Sequence, residues 1–300
     1  MPFNISNLER NKPLAPFTTY KIGGTADLFV EVHTIDELIY VLSEALRSGI
    51  PFFLLGCGAN ILVTDKGFRG LVIRNLADKI TFFNGDSVLA ESGAVVADLI
   101  EKCYDRGLSG FEHFVGIPST VGGAMWQNLH FLSPDRQRTV FIEEIVKTSR
   151  ILTEEGQFST VGVEYFQFDY DKSILQKRKD IVLDVMFKLS PKQKEEIRAV
   201  MEDNMAWRNA RQPQLAEYPS CGSVFKKIKG IGAGRLIDQI GLRGTRIGGA
   251  EISEKHANFI VNTGNATAAD VLQVIEYVQE EVKRKLGYML ETEIMIVGEL

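Results

Sequence analysis

Two polar residues stand in apolar company where chemistry would place them. In Tyr288–Val297, strand alternation puts Leu290, Thr292, Ile294 and Ile296 on one face and Met289, Glu291, Glu293, Met295 and Val297 on the other. Glu293 is therefore a carboxylate with apolar neighbours on its own face. One reading is an edge strand with a solvated side. The other is a carboxylate aimed into a pocket, its pKa raised by desolvation and able to exchange a proton. The stretch Ser220-Cys221-Gly222-Ser223-Val224-Phe225-Lys226 gathers two hydroxyls and a thiol around a glycine, after the loop signals Pro213 and Pro219. It reads either as a turn entering a strand or as a hydroxyl held beside a lysine and able to donate a proton. No Gly-x-Ser-x-Gly elbow surrounds Ser223, which argues against a hydrolase. Nothing near Cys221 would depress its thiol pKa. His256 precedes an apolar strand and reads as a structural residue hydrogen-bonding a loop. The four histidines (His33, His113, His130, His256) lack metal-ligand spacing, so no metal is expected.

Two glycine-rich segments suggest a phosphate-bearing cofactor. Gly56-Cys57-Gly58-Ala59-Asn60 lies between the apolar runs Pro51–Leu55 and Ile61–Val63. A strand that empties into a glycine-spaced turn leaves backbone N–H groups clear of side chains, which suits a diphosphate. A plain tight turn explains that segment equally well on its own. Gly116-Ile117-Pro118-Ser119-Thr120-Val121-Gly122-Gly123-Ala124 supplies a second such stretch, rich in hydroxyls and small residues. The pair suggests one long cofactor clasped by both segments.

The elements that must position these residues are legible from caps and periodicity. Thr34-Ile35-Asp36-Glu37 is a capping box opening a helix that stops near Gly49. Pro51–Leu55 and Leu71–Ile73 read as strands. Ser87–Ala90 is strand-like, Val96–Arg106 is a helix closed by Gly107, and Ile142–Val146, Arg150–Leu152 and Ile181–Phe187 are further strand candidates. Ser190-Pro191-Lys192-Gln193 predicts a cap and a helix lasting to about Arg208. The remainder predicts helices over Ala233–Ile240 and Thr267–Leu286 and strands at Phe259–Val261 and Met289–Val297. The fold class is α+β, in three interlocked pieces at 1–78, 79–195 and 196–300.

Bulk properties narrow the function classes. The chain has 300 residues, 45% of them hydrophobic and 24% charged, with a net charge of −5. Its only basic runs are the short Lys177-Arg178-Lys179 and Lys283-Arg284-Lys285, so a nucleic-acid role has no electrostatic footprint. Three widely spaced cysteines (Cys57, Cys103, Cys221) argue against a disulfide framework or structural zinc. The first residues do not resemble a signal peptide, and no window approaches about 18 uninterrupted apolar residues. A cytoplasmic protein without membrane partners is expected.

In this order, these segments resemble the UDP-N-acetylenolpyruvoylglucosamine reductases over nearly the whole chain. Thr18-Thr19-Tyr20-Lys21-Ile22-Gly23-Gly24-Thr25-Ala26 looks like the family's N-terminal signature. Leu55–Val63 is similar to its flavin loop, with Cys57 and Ala59 where glycine and serine are usual. Gly107–Glu112 followed by Gly116–Ala124 is similar to its second flavin segment, with Ser119 at a common glycine. Gly248–Asn262 is a long further match. The resemblance implies a two-subdomain FAD-binding fold of the vanillyl-alcohol oxidase type and a C-terminal α+β substrate-binding domain. It implies FAD as cofactor, held by Gly56, Cys57, Gly58, Ala59, Asn60, Ile117, Pro118, Ser119, Thr120, Gly122, Gly123 and Ala124. NADPH would be the reductant and a UDP-linked amino sugar the substrate, in a compact, monomeric member of the family. Ser223, in the Gly-Ser-x-Phe-Lys motif, would be the proton donor, Glu293 its carboxylate partner, and Tyr170 and Lys226 substrate-binding residues.

The sequence departs from the family pattern in three places. Phe168-Asp169-Tyr170-Asp171-Lys172-Ser173 carries Asp171 where the family has an enolate-stabilising arginine, and an anion cannot do a cation's work. Asn128-Leu129-His130-Phe131-Leu132-Ser133-Pro134 replaces a run of small residues. Phe225-Lys226-Lys227-Ile228 lacks an asparagine. These changes keep two other readings open: a flavin oxidoreductase of the same fold with a different acceptor, and a non-catalytic flavin- or nucleotide-binding homologue.

Overall fold

The computed structural model describes residues 5–228 and 230–299. Its α-helices are α1 (Ile35–Arg47), α2 (Val96–Tyr104), α3 (Val121–Gln127), α4 (Lys194–Arg211), α5 (Ala233–Gln239) and α6 (Ala268–Leu286). Local chemistry starts and stops several of them as the sequence predicts. The Glu37 N–H donates to the Thr34 hydroxyl at 3.1 Å, and Gly49 after the helix has φ +63°. Thr267 and Asp270 form a reciprocal capping box on α6, which Gly287 closes at φ +76°. The Asp65 carboxylate accepts two further first-turn N–H groups of α6, from Ala268 and Ala269, at 2.8 and 2.9 Å.

Three sequence expectations fail for reasons of pairing. Ser190–Pro191 forms a short strand against Leu108–Ser109, and the Lys192 N–H donates to the Gly107 carbonyl, so α4 begins only at Lys194 and runs to Arg211. Ile142–Glu144 is a 3-10 turn, because the Glu144 carboxylate folds back to accept the Phe141 N–H at 2.9 Å. The continuous strand Met289–Val297 is broken: only Met295–Val297 is regular, Ile296 is exposed and Val297 buried, opposite to simple alternation.

Compactness divides the chain into two units. Unit 1 takes Met1–Val30, Ala45–Ile73 and Asn209–Leu300, and unit 2 takes Glu31–Glu44 and Arg74–Arg208. This grouping cuts across the contiguous segments 1–78, 79–195 and 196–300. Unit 1 holds most of a four-stranded sheet, in the order Glu9–Pro13, Thr25–Val32, Phe68–Asn75, Phe52–Leu55. It also holds an antiparallel three-stranded sheet, Arg246–Ile247, Ala250–Ile252 and Ile260–Asn262. The apolar faces of α5 and α6 (Leu236, Ile237, Val271, Val274, Val278) close its core together with Tyr20 and Ile22. In the N-terminal signature, Tyr20 donates its hydroxyl to the Ile260 carbonyl at 2.8 Å, and its own carbonyl accepts from the Asn262 side chain.

Unit 2 is built on a five-stranded antiparallel sheet in the order Phe158–Gly162, Val146–Leu152, Ile181–Lys188, Ser87–Glu91, Ile80–Phe83. Val96, Leu99, Val121 and Met125 from α2 and α3 join Phe111, Phe166 and Phe187 in its core. Largely antiparallel pairing, with helices beside the sheets, makes the fold α+β, as expected. No helix among the described residues is long and apolar enough to cross a membrane.

Candidate functional site

In unit 1, Ser223 sits on a turn that is held by one buried side chain. Asn258 accepts the Phe225 N–H on Oδ1 at 3.0 Å and donates Nδ2 to the Phe225 carbonyl at 2.9 Å. Its own carbonyl accepts the Val224 N–H at 2.9 Å. Three hydrogen bonds thus fix the backbone directly after Ser223, while Gly222 ahead of it takes φ +90° and has open space where a Cβ would be. Ser223 is half-buried and bridges Phe259. Neighbouring Cys221 is fully buried, and desolvation pushes its thiol pKa well up, so it is no nucleophile. His256 Nδ1 accepts the Asn258 N–H at 3.2 Å, which makes it the loop-holding residue read from sequence.

Glu293 joins this turn through its backbone. Its N–H donates to the Val224 carbonyl at 2.8 Å, Phe225 bridges Thr292, and the Lys226 N–H donates to the Glu291 carbonyl at 2.9 Å. The chain then changes partner. The Glu293 carbonyl accepts from Asn60 Nδ2 at 3.4 Å, the Met295 N–H donates to the Asn60 carbonyl at 3.0 Å, and Met295–Val297 pairs in parallel with Ile61–Val63. The broken strand is thereby explained: Glu293 is the joint between the Ser223 turn and the loop Gly56–Asn60. Gly58 in that loop takes φ +66°, and a Cβ there would lie 2.0 Å from the Phe17 carbonyl oxygen. Asn60 takes φ +56°, a second left-handed position that curls the loop's amides in a way suited to an anion. The Lys226 ammonium lies 3.8 Å from the exposed Glu291 carboxylate, a surface pair worth little in energy.

In unit 2, the segment Ile117–Ala124 leads into α3. The amides at the start of this helix are occupied within the protein. The Val121, Gly122, Gly123 and Ala124 N–H groups already donate, to Ala94 O, Ser92 O, Thr120 Oγ1 and Thr120 O. What the segment offers instead is a bare face. Gly123 is exposed, and a Cβ on it would meet only the Ser119 and Thr120 hydroxyls, at 3.4 Å. Each of those hydroxyls keeps further hydrogen-bonding capacity. At the other end of α3, Gln127 Nε2 donates to Asp171 Oδ1 at 3.2 Å, and the Tyr170 ring packs tilted against His130 at 4.4 Å between centroids. The structure therefore places Tyr170 in unit 2 and Lys226, Ser223 and Glu293 in unit 1.

Family profiles and relatives settle what such a chain is. A profile described as an FAD binding domain matches residues 26–162, and one described as the UDP-N-acetylenolpyruvoylglucosamine reductase C-terminal domain matches 212–297. A UDP-N-acetylenolpyruvoylglucosamine reductase of Shouchella clausii is 39% identical over 97% of this chain and 91% of its own. One of Caldanaerobacter subterraneus subsp. tengcongensis is 40% identical, over 96% and 93%. The chain belongs to this family. The crystal structure of the Thermus caldophilus member superimposes with a TM-score of 0.78 at 32% identity, covering 97% of this chain and 98% of that one. Membership makes the chain an FAD-containing oxidoreductase, and the positive-φ loop at Gly58–Asn60 and the bare face over Gly123 fit such a group. Among the described residues no cluster of three or more histidine, cysteine, aspartate or glutamate side chains could hold a metal.

Three residues that support these segments, each within its own unit, escaped the sequence. Asn258 looked like any polar residue ahead of a strand. Arg208 caps the Gly116 carbonyl at 3.0 Å and lies over the Phe131 ring. Burial lowers its pKa to about 10, still a cation at neutrality. The third is His130, whose signal was its place in a run that departs from the family pattern.

Proposed function

We propose that this chain reduces the enolpyruvyl group of UDP-N-acetylglucosamine enolpyruvate to UDP-N-acetylmuramate at the expense of NADPH, as a monomer in the cytoplasm, supplying peptidoglycan precursors. The observation that carries this reading is the double tie of Glu293, whose N–H binds Val224 beside Ser223 and whose carbonyl binds Asn60 of the flavin loop. Gly56, Cys57, Gly58, Ala59 and Asn60, with Ile117, Pro118, Ser119, Thr120, Gly122, Gly123 and Ala124, would hold FAD, which when bound supplies the hydride. In the segment picture, 1–78 and 79–195 carry these residues and 196–300 handles substrate.

Saturating the double bond leaves enolate-like charge on the substrate until the neighbouring carbon takes a proton. Ser223 supplies that proton. A serine hydroxyl is a weak acid, so its contribution depends on placement, which the Asn258 clamp provides. Glu293 assists by holding the hydroxyl's hydrogen-bond environment, and Tyr170 and Lys226 bind substrate. The buried Asp171 favours one other reading, a flavin oxidoreductase with a different acceptor.

The test is an anaerobic stopped-flow record of flavin absorbance. NADPH should bleach it, and UDP-N-acetylglucosamine enolpyruvate should restore it promptly. A flavin that stays reduced with this substrate, while another acceptor reoxidises it, would move the assignment to the second reading.

A further inference from the structure

A second hydrogen-bonded layer stands behind the Ser223 turn in unit 1. Asn258, whose side chain and carbonyl clamp Phe225 and Val224, is itself held from two residues back: its N–H donates to His256 Nδ1 at 3.2 Å. The loop that carries His256 is closed on itself. The Ser253 N–H donates to the Phe259 carbonyl at 2.8 Å, and the Phe259 N–H donates to the His256 carbonyl at 2.9 Å. The Ser253 hydroxyl accepts the His256 N–H at 3.4 Å. The Phe259 ring meets the imidazole edge-on at 4.9 Å, and a Cβ on Gly234 of α5 would lie 3.2 Å from the imidazole Cε1. The ring therefore has little freedom to turn.

Two routes lead from this loop to Ser223. One runs from the imidazole through Asn258 to the backbone of Val224 and Phe225. The other is the bridge between Phe259 and Ser223. Asn258 and Phe259 are adjacent, so a displacement of Asn258 reaches Ser223 along both.

The direction of one hydrogen bond fixes the state of the ring. A backbone N–H can only donate, so Nδ1 presents its lone pair and the ring is the neutral tautomer with its proton on Nε2. A second proton would go to Nδ1, where it would face the Asn258 N–H, donor against donor.

We propose that His256, as a neutral imidazole accepting the Asn258 N–H, is a positioning residue for the proton donor Ser223, and that protonation of its ring slows reoxidation of the flavin by the enolpyruvyl substrate; this rests on the reductase reading above. In this role His256 exchanges no proton with the substrate. The charged groups acting on the ring are Arg243 and Asp238, an ion pair with Asp238 on α5. Arg235, beside Gly234 on the same helix, is exposed. In the histidine's own loop, the Glu254 carbonyl accepts from Arg243 at 2.6 Å and the Lys255 ammonium donates to the Asn209 carbonyl at 2.5 Å. On the clamped turn, Lys226 pairs with Glu291. Burial, followed by the Arg243 charge, lowers the ring's pKa below its ordinary value, so it is neutral at pH 7 and takes its second proton only in acid.

The test follows both half-reactions of the flavin-loaded full chain between about pH 8 and 5, on either side of the ordinary histidine value, in wild type, His256→Asn and His256→Phe. In wild type, reoxidation by the enolpyruvyl substrate should fall about tenfold per pH unit below the folded pKa of His256, as for one inactivating proton. Reduction by NADPH should show no step there. Imidazole nitrogen NMR should find Nδ1 unprotonated at the alkaline end and titrating where the kinetic step lies. His256→Asn keeps an acceptor that cannot take a proton, so the step should vanish. His256→Phe keeps a ring without an acceptor and should reoxidise about 100-fold more slowly at every pH, the cost of a displacement near 1 Å. Glu293→Gln should retain the step, which separates it from titration of that carboxylate. Nδ1 protonated at the alkaline end, a His256→Phe enzyme that reoxidises like wild type, a step that survives in His256→Asn, or no step where the ring takes its proton would overturn the inference alone. A wild type that NADPH reduces but the substrate reoxidises at no pH would overturn the reductase reading and this inference with it.

Discussion

The side-chain amide of Asn60 donates to the carbonyl of Glu293 at 3.4 Å, while the N–H of the same glutamate donates to Val224 at 2.8 Å. One residue thus ties the Ser223 turn to the loop Gly56–Asn60 within unit 1. Placement of the two is coupled through the backbone of Glu293 and Met295 together with the Asn60 amide, and not through the side chains of Ser223 or Glu293. The side chains of Ser223 and Glu293 can therefore be altered while the frame stays in place.

That separation makes the half-reactions diagnostic. Ser223→Ala should leave flavin reduction by NADPH nearly intact and slow reoxidation by the enolpyruvyl substrate about 100- to 10,000-fold, the usual worth of a positioned proton donor. Glu293→Gln should slow the same half-reaction. Stopped-flow traces of each step decide it; equal slowing of both halves would mean that Ser223 is not the acid.

Two glycines should respond with opposite signs. Gly58 has φ +66°, and a methyl group there would lie 2.0 Å from backbone oxygen, so Gly58→Ala should cost about 2–4 kcal/mol of stability. Gly123 lies in a helix where a Cβ would make only ordinary 3.4 Å contacts with the Ser119 and Thr120 hydroxyls, and alanine is the better helix former by about 0.5–1 kcal/mol. Gly123→Ala should therefore keep or raise the melting temperature of the flavin-free protein and lower its FAD content. Denaturant titrations and the flavin-to-protein absorbance ratio separate the two effects.

What the sequence made legible was local. Thr34 with Glu37 and Thr267 with Asp270 announce helices because a cap is satisfied within four residues of itself. Ser190–Pro191 carries an equally good cap signal, yet it pairs with Leu108–Ser109, far upstream, which no local pattern records. The alternation over Met289–Val297 failed likewise, because the segment pairs with the Ser223 turn before Glu293 and with the flavin loop's strand after it. The candidate catalytic residues were legible because each is out of place by type. His130 and Asp171 were legible only as departures, since their meeting depends on a hairpin pinned to α4 by Arg136.

Asn258 gives a test of placement without chemistry. Asn258→Ala strips partners from the buried Phe225 N–H and carbonyl, each costing about 1–3 kcal/mol when left unsatisfied. Chemical denaturation should show a loss of about 2–5 kcal/mol. At temperatures where the variant stays folded, reoxidation by the enolpyruvyl substrate should slow while reduction by NADPH persists. Asn258→Asp should not rescue it, because a carboxylate cannot donate to the Phe225 carbonyl.

His256 makes the same loop sensitive to acid. Its Nδ1 accepts the Asn258 N–H, and burial, followed by the nearby Arg243 charge, lowers its pKa below the ordinary value. The unfolded chain therefore takes up this proton at higher pH than the folded one. The stabilisation is fully present above about pH 6.5 and is lost as pH falls through the lowered folded pKa, with a slope of at most about 1.4 kcal/mol per pH unit. His113, whose pKa burial also lowers, adds a slope of the same sign. His256→Asn retains an acceptor for the Asn258 N–H but cannot take a proton. Urea unfolding between about pH 7.5 and 5 should therefore show a shallower acid loss in His256→Asn than in wild type, by up to that slope. Parallel curves for the two proteins would mean that the ring takes up its proton at the same pH in the folded and unfolded chains.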